Sequence, residues 1–342
     1  MVLHASGQYG KSIDVLQEAE KLSEHLDVVS VSEETKTFLV NERERAYRGE
    51  DFEKLMISVI QALNYTEQGQ EDDALVEVRR VNQRLQKMKV EEKKPYEQLA
   101  IARYLGGVLW ENQRDWDAAL IDYAEAYRLQ PSLEGLAEPL IRLAALTHRE
   151  DDLENYRAAF PQLVAPPLTR EEGQIVVLVE AGYSPEKMSK SYRDGAGELI
   201  PIPVYVGRWR STRAWVSLDG ENAQPAVTLT SLDEVAKVHL QDRVGRMIAR
   251  GLASTAVKAG ISTGVGMLTQ SEGLGYLSFF LLNLGNRTDL RSWLSLPAEF
   301  QLARLKTTPG THQIAMAFEG TNVFRSVEVK SGRITLVVIR QY

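Results

Sequence analysis

Histidines and carboxylates are the first residues to consider for catalysis or metal binding in this chain. No two of the histidines have the spacing of a metal site on a helix or hairpin; they are His4, His25, His148, His239 and His312. The carboxylate pairs in EDD at 71–73 and 150–152 fall at predicted helix starts, where the helix dipole stabilises negative charge. The sequence also lacks a phosphate loop, a dinucleotide motif and a nucleophile elbow. It therefore predicts a non-enzymatic protein with no cofactor and no metal.

One segment, GRWRSTRAW at 207–215, combines basic and aromatic side chains in a way that suits stacking and anion contact. Its candidate partner-binding residues are Arg208, Trp209 and Arg210. In an alternating strand Trp209 would share a face with Arg213 and Trp215, so the aromatic face would also carry an arginine. This favours an exposed hairpin anchored by a tryptophan, with a ligand site as the alternative.

Composition narrows the possible functions further. The chain has 342 residues, of which 44% are hydrophobic and 25% charged, and this is enough for two domains with cores of their own. Its formal net charge of -7 argues against binding to nucleic acid. Cysteine is absent, which excludes disulfides, thiolate catalysis and cysteine-ligated metals.

The N-terminal half shows internal repeats of helix-pair size. One segment follows the tetratricopeptide (TPR) pattern of small, aromatic and proline positions; its residues are Gly107, Trp110, Trp116, Ala119, Tyr123, Ala126 and Pro131. Segments 62–81 and 7–19 align with it, and the earlier of these lacks most of its leading helix. The pattern predicts a turn at Gly69, with Arg114 as its counterpart, and a helix end at Pro131. We expect a TPR-like domain over 1–160, with an eroded fourth unit at 136–160, followed by a proline-rich linker over 161–173.

From residue 174 the periodicity becomes that of strands, and we expect a β-rich domain over 174–342. Pro201 and Pro203 place their strand at a sheet edge. Four further strands, separated by turn residues, are predicted between Phe300 and the C-terminus, and their regular spacing predicts an antiparallel sandwich or half-barrel. The fold class is therefore α+β, a TPR-like solenoid followed by a sandwich-like domain.

A helical insertion is expected at about 231–285, inside the β-rich half. It begins with a capping box, Ser231 and Glu234. One apolar face is predicted after it, made by Val235, Val238, Val244, Met247, Ile248 and Leu252. The glycine-rich apolar stretch Gly251 to Gly285 has three interpretations: a buried helical hairpin, an oligomer or partner surface, and a membrane-inserted segment. Just beyond the stretch, Arg291 and Trp293 are expected to lock the insertion onto the sheet.

Several of these segments carry a resemblance to a known family. The stretches 52–81 and 110–131, with RSWLSLPAEFQLARL and PGTHQIAM, together resemble an uncharacterised family of bacterial envelope proteins, often described as lipoproteins. In that family TPR-like helices precede a β-rich C-terminal domain. The tail from PGTHQI to TLVVI also looks like the small PEGA-type β domains of surface proteins.

The resemblance implies export and a lipidated N-terminal cysteine. The sequence contains neither a leader nor that cysteine, so we expect that a native leader was removed from it. Membrane association through that anchor is expected rather than a transmembrane span. The implied location is the periplasmic side of the outer membrane, with the cytoplasm as the alternative.

The leading functional prediction is a protein-binding scaffold or adaptor at the cell envelope. A protein or peptide would dock along the predicted inner helices, Leu55 to Tyr65 and Leu99 to Trp110; its candidate contacts are Asn64, Arg103 and Asn112. A structural subunit of an envelope assembly, such as secretion, pilus or motor machinery, is the alternative, in which the apolar insertion mediates assembly or homo-oligomerisation. An enzyme that acts on envelope polymers is the third hypothesis.

Overall fold

A computed structural model describes residues 1–33, 47, 49–91, 99–163, 172–193, 199–208, 212–244 and 289–341. The N-terminal part of the chain is helical and the C-terminal part forms β-sheets, so the predicted α+β class is confirmed. The last long helix of the N-terminal part ends at Ala159, and the first strand begins at Gly173.

The helices follow one another along the chain and pack against their neighbours in sequence. Their bounds are α1 Val2–Ala5, α2 Tyr9–Glu33, α3 Asp51–Glu67, α4 Glu71–Val90, α5 Ala100–Asn112, α6 Trp116–Leu129, α7 Ala137–Leu146 and α8 Glu150–Ala159. A 3₁₀ turn, Glu134–Leu136, precedes α7. The predicted end of a helix before Pro131 and the predicted helices within 136–160 are confirmed. Of the described helices, none combines the length and the apolar character that crossing a bilayer requires.

Four turns of the same kind each connect the two helices of a pair. Gly7, Gly69, Arg114 and His148 adopt the left-handed backbone conformation, with φ of 73°, 73°, 64° and 56°. At each turn the next residue donates its N–H to the carbonyl five positions earlier, at 2.8–3.0 Å. This is the Schellman ending of a helix, which satisfies carbonyls that the last turn leaves free. The predicted turn at Gly69 and its counterpart at Arg114 are confirmed, and His148 forms the same turn between the two helices of the predicted fourth unit.

Packing within the third pair depends on small residues beside a large one. The Tyr123 ring on α6 is fully buried, and it lies where a side chain on Gly107 of α5 would be. Ala119 and Ala126, on the same helix as Tyr123, are also fully buried. The predicted alternation of small and aromatic positions therefore describes how α5 and α6 approach each other.

The strands that the structure describes form two four-stranded sheets and one two-stranded ribbon. Their bounds are β1 Gly173–Ala181, β2 Glu186–Arg193, β3 Leu199–Val206, β4 Trp215–Leu218, β5 Gln224–Pro225, β6 Val227–Ser231, β7 Glu299–Thr307, β8 Gly310–Phe318, β9 Thr321–Val329 and β10 Ile334–Gln341. One sheet, in the order β10-β1-β7-β6, packs on the helices, and we call it the helix-facing sheet. The other, β5-β4-β8-β9, is the outer sheet.

The four C-terminal strands are present as predicted, but their arrangement differs from a purely antiparallel one. β7 and β10 lie in the helix-facing sheet, whereas β8 and β9 lie in the outer sheet. β10 runs parallel to β1, from Gln174 opposite Ile334 to Ala181 opposite Gln341. The physical reason lies in β1, whose nine residues are all buried, since a strand covered on both faces suits the centre of a mixed sheet.

The prolines of β3 behave as expected for an edge strand. Within the described residues β3 pairs with β2 alone, and Pro201 and Pro203 lie opposite Ser191 and Ser189. Because proline has no N–H to donate, its positions suit a strand with a free edge.

Two apolar cores share strand β1. Val176 and Leu178 face the helices and pack in the same core as Phe52 and Leu109. Ile175, Val177 and Val179 face the outer sheet and pack against Val216, Ile314 and Met316. The helices, the helix-facing sheet and the outer sheet therefore form three successive layers.

The helix that follows β6 starts where the capping pattern predicts. The Ser231 hydroxyl accepts a hydrogen bond from the N–H of Glu234 at 3.4 Å, and the structure describes a helix over 232–244. Its buried apolar residues are Leu232, Ala236 and Leu240, while Val238 is exposed, so the predicted face was wrong at Val238. Met247, Ile248 and the stretch Gly251 to Gly285 lie outside the described residues, and the three interpretations of that stretch stay predictions.

The contact between Gly107 and Tyr123 yields a stability prediction. Gly107→Ala places a Cβ 2.5 Å from the Tyr123 ring. We expect a loss of roughly 1–3 kcal/mol in the free energy of unfolding, because overpacking outweighs the better helix propensity of alanine. Urea denaturation measures this loss in the free energy of unfolding. The control is Gly135→Ala, whose Cβ would have its nearest neighbour at 3.8 Å, and it should change stability by less than about 0.5 kcal/mol. Equal losses in the two variants would contradict this account of the packing.

Candidate functional site

The predicted contact residues of the inner helices are engaged within the chain. Asn64 is fully buried; its carbonyl oxygen lies 2.6 Å from His4 Nδ1, and its amide nitrogen donates to the Ser12 hydroxyl at 3.0 Å. Arg103 forms an ion pair with Asp122 at 2.5 Å. These contacts do not support the prediction that Asn64 and Arg103 meet a partner.

Asn112 has a different task from the predicted one. Its side chain accepts a hydrogen bond from the N–H of Ile334 at 2.8 Å and donates to the carbonyl of the same residue at 3.0 Å. It thus pairs with the edge of β10 as a neighbouring strand would. The inner face of α3 and α5, on which a binding groove was expected, is covered because both helices contact the helix-facing sheet.

Of the predicted residues on the arginine-rich segment, the structure describes Arg208. Its guanidinium donates to the carbonyls of Ser184 at 2.9 Å and Leu294 at 2.5 Å, and lies 5.4 Å from the centre of the Tyr183 ring. Arg208 therefore holds together loops of the β-rich half. Trp209 and Arg210 lie outside the described residues.

A buried ion cluster lies where helices and sheet meet. Arg304 of β7 and Arg142 of α7 both bind the Glu111 carboxylate, at 3.2 and 2.5 Å, and each of the three side chains is about 95% buried. The Tyr123 hydroxyl donates to the same carboxylate at 3.0 Å, and Glu138 binds Arg142 at 2.7 Å. Each of these charges has a partner within the cluster. The cluster therefore holds the helices to the sheet, and these side chains are not available for catalysis.

A second polar cluster lies at the start of α3. Glu50 binds Lys187 of β2 at 2.6 Å and Arg243 at 2.7 Å. Burial opposes the ionisation of Glu50, but the two cations outweigh it and lower its pKa. These contacts tie the helical half to the two-stranded ribbon and to the 232–244 helix.

Beside Glu50, Glu53 is a buried carboxyl with three donors. It accepts hydrogen bonds from the Tyr47 hydroxyl, from the N–H of Glu50 at 2.9 Å and from the N–H of Trp293 at 2.7 Å. Burial nevertheless raises the pKa of Glu53. Trp293, which was expected to lock the insertion onto the sheet, contacts the helical half through this bond.

An apolar cavity of about 360 Å³ opens next to Glu53. Its walls come from α1, α2 and the first turns of α3, and it is closed on one side by Trp293 and Tyr47. The residues of α2 that line it are Ser12, Val15, Leu16, Ala19, Leu22 and Ser23. We call this cavity the α2 groove, and it is the candidate binding site. Of the candidate contact residues that the structure describes, Asn64, Arg103, Asn112 and Arg208 do not line it.

Two histidines are paired with carboxylates, which could suggest catalysis. His312 Nδ1 lies 2.6 Å from an Asp219 carboxylate oxygen, and Nε2 donates to the Thr308 carbonyl at 2.7 Å. Because both ring nitrogens are engaged, neither can serve as a general base. His312 instead fastens the turn at Asp219 to β8, where Gln313 N–H also donates to Asp219 at 2.7 Å.

His4 links α1 to β1 in the same manner. Its Nδ1 faces Asn64, and its Nε2 lies 3.1 Å from Glu180, which is fully buried on β1. Burial alone would lower the pKa of His4, but the Glu180 carboxylate outweighs it and raises the pKa. Across the described parts of the chain, no group of three or more histidine or acidic side chains is arranged to hold a metal ion.

Comparison with known proteins returned no match to a family model, a curated protein or a solved structure.

The pair of His4 and Glu180 predicts a pH dependence. A histidine with a raised pKa stabilises the fold fully below its ordinary pKa of 6.5, and this stability is lost as the pH rises through the raised value. Glu180→Gln keeps an oxygen acceptor but removes the charge. We expect the free energy of unfolding to fall between pH 6 and pH 9 more steeply in the wild type than in the variant, by about 1.4 kcal/mol for each unit of raised pKa.

Urea denaturation at several pH values measures this slope. Asp117→Asn, which removes an exposed ion pair with Arg149, is the matched control and should keep the wild-type slope. Parallel curves for the wild type and Glu180→Gln would contradict a role for this pair.

Proposed function

We propose that this protein is a non-enzymatic scaffold that binds an amphipathic helix of a partner protein in the α2 groove. One observation carries the proposal: Val15 and Leu22 of α2 leave an apolar surface exposed in a groove that α1 and α3 flank. The site differs from the groove expected on the inner helices, which the chain's own sheet covers.

Support for a TPR-like solenoid comes from the recurring turn. The turns at Arg114 and His148 are 34 positions apart, as in a regular TPR unit. The packing of Gly107 against Tyr123 agrees with the same pattern. For the β-rich half, the apolar core between the helix-facing and outer sheets supports a sandwich-like arrangement.

The lining of the groove suits the side of a helix. Positions 12, 15, 16, 19, 22 and 23 share one face of α2 because they recur at helical spacing. The central four are apolar, and Val15 and Leu22 remain 54% and 58% exposed. Ile57 of α3 and Leu3 of α1 add apolar walls. A partner helix with apolar residues at i, i+3, i+4 and i+7 would cover this surface.

The neighbouring pairs define where such a helix would lie. The leading helices α3, α5 and α7 have 17, 13 and 10 residues, and each contacts both its own partner and the helix before it. The α2 groove begins beside α1 and is lined by α2 and α3, so a bound helix would pack against both of these longer helices.

A place at the bacterial envelope remains part of the proposal. It rests on the resemblance of segments such as RSWLSLPAEFQLARL and PGTHQIAM to envelope proteins. The proposal includes export, a lipid anchor and the periplasmic side of the outer membrane, with the cytoplasm as the alternative. The same groove would also serve a structural subunit of an envelope assembly, whose partner helix would then belong to a neighbouring subunit.

Photo-crosslinking in living cells tests the proposal. A benzophenone amino acid at Val15 or Leu22 should crosslink to one segment of one protein, identified by mass spectrometry as an amphipathic helix. The matched control is the same amino acid at Ile121 of α6, which is 52% exposed and lies away from the groove. Leu22→Glu should abolish the crosslink from Val15, and its free energy of unfolding should change by less than about 0.5 kcal/mol because the side chain is exposed.

Binding of the identified segment as a synthetic peptide completes the test. The wild type should bind it, and Leu22→Glu should weaken binding by at least about tenfold. Equal crosslinking from Ile121, or a crosslink only to another part of the same chain, would overturn the proposal. If light scattering shows that the partner and this protein assemble at a fixed stoichiometry, the structural subunit is favoured over the scaffold.

A further inference from the structure

The solvent side of the outer sheet has an unusual composition. Strand register places Trp215, Ala317 and Asn322 in one row across β4, β8 and β9, and Ser217, Ala315 and Phe324 in the next. We call this surface the outer sheet face; its residues are Trp215, Ser217, Pro225, Thr311, Gln313, Ala315, Ala317, Asn322, Phe324, Ser326 and Glu328. The opposite side chains of the same strands, such as Val216 and Met316, are buried between the sheets.

Two aromatic side chains project from this face into solvent. Trp215 is 47% exposed and Phe324 is 66% exposed. Ala315 and Ala317 lie on the strand between them, so the surface between the rings is low and flat. With strands about 4.8 Å apart, the two rings lie on the order of 10 Å from each other across β8.

The remaining residues of the face are almost all uncharged. A sheet face in water ordinarily carries charged side chains, and a quarter of this chain is charged. On the outer sheet face Glu328 is the one charged residue among those named. Amides and hydroxyls, from Gln313, Asn322 and Ser326, surround the rings instead.

From this arrangement we propose that the outer sheet face binds an uncharged polysaccharide. Aromatic rings stack on the apolar C–H faces of sugar rings, and neutral amides and hydroxyls exchange hydrogen bonds with sugar hydroxyls. The separation of the two rings exceeds one sugar unit, which suits an extended chain that contacts both. None of the paired positions named above carries a cation, and the exposed Arg213, two positions before Trp215, adds too little positive charge to favour nucleic acid or anionic lipid.

The face is less suited to a second protein. Stable protein interfaces bury at least about 1,000 Å² around a closely packed apolar centre. Here the two large apolar side chains are separated by alanines, and polar residues lie on the same rows. A sugar polymer needs only the separate stacking surfaces.

Titration with two soluble probes, cellohexaose and hexa-N-acetylchitohexaose, tests this inference by calorimetry on the full chain. We expect at least one probe to bind, and Trp215→Ala and Phe324→Ala each to weaken it by about tenfold or more. Trp215→Phe keeps a stacking surface and should recover most of the affinity. Met188→Ala, which removes a 48% exposed apolar side chain from β2, is the matched control and should bind like the wild type.

Both alanine variants remove exposed side chains, so their urea denaturation midpoints should match the wild type. Failure of the wild type to bind either probe at millimolar concentration, or equal binding by the alanine variants, would overturn the proposal. So would a wild-type dimer that these substitutions dissociate, since a second copy would then cover the face. The result is independent of the α2 groove, whose variants leave the outer sheet unchanged.

Discussion

The arrangement of this protein depends on the buried contact between Arg304 of the helix-facing sheet and Glu111 at the end of α5. A guanidinium and a carboxylate with about 5% exposure are tolerated only when both are paired and hydrogen-bonded. Arg142 and Tyr123 complete the coordination of Glu111, and Gln174 accepts from Arg304 at 2.6 Å. Any shift of the sheet along the helices would leave one of these charges without a partner, so the cluster specifies one position of the sheet on the helices.

Side chains at the ends of two helices also cover the outer edge of that sheet. Asn112 pairs with Ile334, and the Glu67 carboxylate accepts from the N–H of Val338 at 3.2 Å, so the ends of α5 and α3 cap N–H groups along β10. Arg333 adds bonds to Glu71 at 2.8 Å and to the Asn112 carbonyl at 2.6 Å. An unpaired strand edge invites pairing with other chains, and these side chains prevent it. The inner surface of the helices is thereby committed to the chain's own sheet.

The sequence predicts the local features well because they depend on residues close together in the chain. The turn at Gly69, the strands after residue 299 and the edge position of Pro201 all follow from local patterns. The role of Asn64 and Asn112 could not be predicted in this way. A polar residue on an inner helix can face a ligand or a strand of the same chain, and Ile334 is 222 positions from Asn112. The parallel pairing of β10 with β1 is equally non-local, although the unbroken apolar run of β1 indicates a strand covered on both faces.

The α2 groove owes its shape to polar contacts that lie beneath it. A helix as short as α1 is unstable in isolation, because its few hydrogen bonds do not offset the cost of nucleation. His4 holds it in place through Asn64 of α3 and Glu180 of β1. At the other end, Glu53 fixes the backbone of Trp293. Both ends of the groove are therefore held by buried bonds to other elements. A preformed apolar groove loses little conformational freedom when it is filled, so under the proposed function a partner helix would bind at a small entropic cost to this chain.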